Sequence, residues 1–163
     1  MDRWSIVFAC ALTLGCSQES ADELFTKGEA ATHQDATYPE AKIYLNEFLE
    51  RFPDDPRADL ALQALARVLL NQGESEASIA RYEELIRRFP TSRYADQAQF
   101  MIGYIYDLDG KYEQARTAYQ KVVNGYPGSE LVDDAQACIA NLGKPPDAWF
   151  PPDSTTADSV QRR

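Results

Sequence analysis

The chain has 163 residues, of which 44% are apolar, and a formal net charge of −10. That apolar share excludes wholesale disorder, and about 120 residues between two non-globular ends suffice for one domain with a modest core. The acidity repels nucleic acid and anionic headgroups, so any contact with a bilayer requires an apolar or covalent device.

The first segment opens with Arg3, partly offset by Asp2, and continues as an apolar run from Ile6 to Leu14. The run is too short to span a bilayer, which takes about 20 residues, and has the length of a secretion-signal core. Leu12-Thr13-Leu14-Gly15-Cys16 follows, with small Gly15 just before the cysteine. This resembles the lipobox of bacterial lipoproteins, with Thr13 where leucine or valine is usual. The resemblance implies that 1–15 are a signal peptide and that Cys16 is acylated, palmitate among its chains. It also makes 16–19 a lipidated spacer. Ser17 just after the cysteine implies an outer-membrane location facing the periplasm. Each buried methylene contributes about 0.8 kcal/mol, and two or more chains anchor stably where one does not. The other reading is an ordinary cleaved signal with an incidental cysteine. Cys10 falls in the leader, which leaves Cys138 as the only thiol of the mature chain and rules out a disulfide framework. Between Ala137 and Ile139, Cys138 reads as a small buried residue.

A helix near 20–32 is expected next, with its partner starting at Tyr38 and Ala41. From there the chain repeats. Phe52-Pro53, Phe89-Pro90 and Tyr126-Pro127 recur in steps of 37. Asp59, Asp96 and Asp133 keep the same step, as do Ala61, Ala98 and Ala135. Within each unit the apolar period is helical: Phe100, Tyr104, Ile105 and Leu108, then Tyr112, Ala115, Tyr119 and Val122. Asp109-Gly110 and Gly73 mark tight turns. Each residue before proline ends a helix, because it is pushed out of the α region. Pro56 and Thr91-Ser92 suit helix starts. A seventh helix at 130–142 has a polar face from Asp133, Asp134 and Gln136, which suits a terminal cap. Residues 143–163 read as a flexible Pro-rich tail. Its Trp149-Phe150 pair either docks on the last helices or forms a short recognition motif.

The third unit, with Gly103, Tyr106, Gly110, Tyr112, Ala115, Tyr119 and Pro127, matches the spacing of the tetratricopeptide repeat (TPR). The resemblance implies an all-α right-handed superhelix of about three helix pairs plus a capping helix over 20–142. The step of 37 exceeds the usual 34. The three extra residues lie between the proline and the next Leu/Ile-Ala/Gly pair, so the first helix of each unit is expected to be longer. Ser75 and Ser78, in place of an aromatic and an alanine, weaken the second unit.

No catalytic constellation is present, and the chain is not expected to be an enzyme. His33 is the only histidine, too few for the usual zinc cluster. No nucleophile elbow, Walker loop or dinucleotide glycine pattern accompanies it. Asp107-x-Asp109 lacks the later ligands of a calcium loop. Asp54-Asp55 and Asp133-Asp134 suit turns and helix starts. No cofactor or metal is expected.

Binding is what remains. The family binds peptides on the concave face lined by the first helix of each pair. Carried over, that groove holds Gln63, Arg67, Leu70 and Asn71 in the second unit and Phe100, Tyr104, Asp107 and Leu108 in the third, with Phe100 and Tyr104 alternatively part of the core. Arg88-Phe89-Pro90-Thr91-Ser92-Arg93-Tyr94-Ala95-Asp96 is similar to a group of periplasmic TPR proteins. That group implies envelope proteins as partners. They are either the β-barrel assembly machinery of the outer membrane or, alternatively, Tol–Pal and cell-wall-synthesis components of division. The lipobox favours the first and the repeat count the second.

Overall fold

The computed structural model describes residues 18–144. Cys16 with its leader, and Trp149-Phe150 with the tail, lie outside the described residues. Seven α-helices occupy the described part, with no strand among them. They are α1 Ala21–Ala30, α2 Tyr38–Arg51, α3 Ala58–Asn71, α4 Ser75–Arg88, α5 Ala95–Leu108, α6 Tyr112–Gly125 and α7 Val132–Asn141. None is long and apolar enough to cross a membrane.

Each boundary has a local cause. Ser20 opens α1 as a capping box: its hydroxyl accepts the Glu23 N–H at 3.2 Å, and the Glu23 carboxylate accepts the Ser20 N–H at 2.8 Å. Phe52, Phe89 and Tyr126 terminate α2, α4 and α6 with ψ of 56°, 62° and 58°, outside the α region that their following prolines disfavour. Inside the pairs, Gly73 and Gly110 turn the chain at φ 77° and 70°. In both turns the sixth residue bonds back to the first, Glu74 N–H to the Leu69 carbonyl and Lys111 N–H to the Tyr106 carbonyl.

The first helices are not longer than the second: α3, α4, α5 and α6 all have 14 residues. The extra residues sit in the connectors 52–57, 89–94 and 126–131. Each connector makes two successive tight turns, for example Ser92 N–H to Phe89 O and Ala95 N–H to Ser92 O. Proline and the hydroxyl of Ser92, which accepts the Tyr94 N–H at 3.1 Å, hold the chain in turns instead of helix. Ser92 therefore lies ahead of the α5 N-cap, which is Tyr94 and has no side-chain cap.

One core runs from α1 to α6 through Leu24, Leu45, Phe48, Leu62, Leu65, Leu85 and Ile105, all buried. A smaller cluster of Ala115, Tyr119, Val122 and Ala135 joins α6 to α7. Gly103 is needed where it stands: a Cβ there would lie 2.7 Å from Cδ1 of Tyr119. Ser78 is fully buried, and its hydroxyl donates to the Ala66 carbonyl at 2.7 Å, so the second unit closes without the expected alanine. Asp133, Asp134 and Gln136 are exposed on α7, as a terminal helix requires.

Candidate binding face

Side chains link the first helices of successive repeats, directly or from the connectors. Gln63 Nε2 on α3 donates to Gln97 Oε1 on α5 at 2.6 Å. Ser92 and Ser129 reach back from the connectors to Asp59 and Asp96, each at 2.6 Å. These contacts fix the spacing of the face that the first helices share.

The eight sequence-expected groove residues divide on this face. Tyr104 is 41% exposed and Leu108 61% exposed, one turn apart on α5. Both leave apolar surface in water, which a partner is able to cover. Arg67 is exposed and borders a cavity of about 60 Å³ with Gln63, Phe25, Glu29 and His33, between α1 and α3. His33 itself is exposed at the end of a short 3-10 turn, Ala31–His33.

The other groove residues have partners within the fold. Leu70 is half-buried against the main core. Asn71 is exposed, yet its Nδ2 donates to the Tyr38 hydroxyl at 2.8 Å, tying α3 to α2. Phe100 packs on Tyr119 with ring centroids 5.2 Å apart. Asp107 is half-buried, and burial pushes its carboxyl above the ordinary range. The face therefore presents Arg67, Tyr104 and Leu108 most openly, with Gln63 and Asp107 between them and the core.

Asp107 neighbours the Tyr119 side chain. The Tyr119 hydroxyl is fully buried and makes no hydrogen bond. Desolvation is the first cause that pushes its pKa up, and the neighbouring Cys138, Asp107 and Tyr104 add to the shift. Burial likewise raises the Cys138 thiol, which is half-buried, so the thiolate is suppressed and the group behaves as packing.

Sequence reasoning missed the surface on the opposite flank of α5. Two adjoining grooves, of about 850 and 470 Å³, lie along α6 and share Gln99, Thr117 and Lys121. None of the eight groove residues lines either. The signal was available in the repeat columns, where Lys121 and Gly125 break a glutamate–arginine pattern set by Glu47/Arg51 and Glu84/Arg88.

No curated protein sequence matches the chain. Residues 64–130 match the model of a family described as the tetratricopeptide repeat. That span runs from within α3 to the connector before α7, so it holds the second half of α3, all of α4 and the whole α5–α6 pair. The glycine turns, the small-residue contact at Gly103 and the proline-terminated helices are those read from the sequence, and over residues 64–130 the chain is similar to that family.

Proposed function

We propose that this protein is a lipid-anchored periplasmic scaffold, held in the outer membrane through Cys16 and binding envelope proteins on the face of its first helices. Tetratricopeptide repeats mediate protein–protein interaction, and that coarser role rests on the family match. The observation that carries the face is the exposure of Tyr104 and Leu108, two large apolar side chains one turn apart on α5. The reading assigns the protein no catalytic step: if His33→Ala abolished a turnover by the purified chain, that assignment would fail.

The favoured client is the β-barrel assembly machinery, on the strength of the lipobox at Leu12–Cys16. Purifying the tagged protein from crosslinked, solubilised membranes is then expected to bring down a barrel-assembly component. The three helix pairs favour a second reading, coordination of Tol–Pal or cell-wall synthesis, in which those components dominate instead. Recovery of neither removes both clients. The anchor has a separate test. Cys16→Ser is expected to release the protein from membranes, and undiminished retention contradicts lipidation.

A further inference from the structure

The first two repeats close the end of their second helix in the same way. Glu47 pairs with Arg51 at 2.6 Å, and Glu84 pairs with Arg88 at 2.7 Å. Each arginine also crosses to a backbone carbonyl: Arg51 Nη2 donates to Glu19 O at 2.6 Å and Arg88 Nη2 to Pro53 O at 2.7 Å. In the third repeat the corresponding residues are Lys121 and Gly125. The lysine inverts the charge and the glycine removes the arm that covered the proline.

The residue beneath changes as well. Phe25 and Leu62 occupy the same column in the core, and both are buried. Gln99 follows them, only 6% exposed, with its Nε2 donating to the Ala118 carbonyl at 3.1 Å. Pro90, counterpart of Pro53, is left bordering the groove of about 850 Å³ together with Gln99, Arg116, Lys121, Gly125 and Tyr126.

Charge singles this groove out. The chain carries −10, and seven of its cations, Lys27, Lys42, Arg51, Arg57, Arg81, Arg88 and Lys111, are engaged in ion pairs. Among the described residues Arg116 and Lys121 enter no ion pair, and no acid lines the groove they share. The adjoining groove holds Arg87 but also Glu83 and Glu113, so the positive excess belongs to the α6 end. An unpaired cation pair over a buried amide, beside an exposed proline and a tyrosine, suits a carboxylate on an extended chain.

We propose that this groove is a second binding surface, which takes an acidic segment of a partner protein. A glutamate or aspartate of that segment pairs with Lys121 and Arg116, standing where Glu84 stands in the repeat before. The surface shares no residue with the face of Tyr104 and Leu108, so the two readings stand or fall separately.

The test uses the full chain in detergent and a fluorescein-labelled hexaglutamate peptide, followed by fluorescence anisotropy. Saturable binding is expected despite the like net charge. The double variant Lys121→Glu with Gly125→Arg rebuilds the closure of the earlier repeats. It is expected to weaken binding at least tenfold without lowering the melting temperature, since a Cβ at position 125 meets nothing within 4 Å. Lys27→Gln on α1, which makes the same net change of one charge away from the groove, is expected to leave binding within twofold. Absence of binding by the parent overturns the proposal, as does full affinity in the double variant or an equal loss in Lys27→Gln. Binding that appears only after residues 145–163 are deleted assigns the groove to the chain's own tail and also overturns it.

Discussion

The Ser92 hydroxyl donates to the Asp59 carboxylate at 2.6 Å, joining the connector before α5 to the first turn of α3. Ser129 and Asp96 make the same bond at 2.6 Å one repeat later. At the first boundary the connector residue is Asp55, which would oppose Asp22 with like charge. Arg57 resolves the conflict by bridging both, at 2.8 Å to each. The bond is part-buried and charge-assisted, so Ser92→Ala is expected to cost about 1 kcal/mol, read as a lower urea midpoint with an unchanged slope. Ser75→Ala, whose exposed bond to Asp109 is longer at 3.1 Å, should cost less. An equal or larger loss there would mean the connector bond has no special weight.

Arg57 gives the first boundary a pH signature. Its hydrogen bond is the largest of the effects holding the Asp55 carboxyl below the ordinary range. A depressed folded-state value contributes stability above the unfolded value of about 3.9, and that stability is lost as pH falls through the folded value. Parent and Arg57→Ala should therefore differ most near neutrality and converge partway below about pH 4. Convergence is incomplete because Arg57 also stacks over Phe25 at 4.8 Å, a contact independent of that titration. A difference constant from pH 7 to pH 2 would contradict the assignment.

Asp107 carries the opposite sign. Burial raises its carboxyl, so the charged form burdens the fold near neutrality, and the burden lifts as pH falls through the folded value towards the unfolded one. Asp107→Asn is expected to raise the melting temperature at pH 7, and the gain should vanish below about pH 4. A loss at pH 7 would show that the carboxylate makes a favourable contact on the binding face.

The Gly103–Tyr119 contact supports two substitutions of opposite effect. Gly103→Ala places a methyl 2.7 Å from the ring, and overpacking of about 1–3 kcal/mol outweighs the helix-propensity gain of about 1 kcal/mol. Tyr119→Phe removes a buried hydroxyl without a hydrogen-bond partner, so it is expected to be neutral or stabilising. Thermal melts of the two variants separate these outcomes. A destabilised Tyr119→Phe would imply a bond from that hydroxyl.

Much of this was legible in the sequence because it depends on local chemistry. The pre-proline residues Phe52, Phe89 and Tyr126, the turns at Gly73 and Gly110, and the small Gly103 each act on their immediate neighbours. The connectors were not legible, since three extra residues lengthen a helix or a loop equally well until Ser92 is seen to bond Asp59. The binding face was half legible. The resemblance to the repeat family placed Tyr104 and Leu108 in the groove, but it gave no sign that Asn71 is held by Tyr38 and Phe100 by Tyr119. Those partners lie 33 and 19 residues away, and only the stacking of the helices brings them together.

The central claim is that the face of the first helices engages an envelope protein. A photo-crosslinking amino acid placed at Leu108 in membrane-anchored cells tests it most directly, with exposed Ile43 on α2 as the control position. A discrete adduct from position 108, absent from position 43 and containing an outer-membrane assembly or Tol–Pal protein, is the predicted result. No adduct at 108, or the same adducts from both positions, would contradict it.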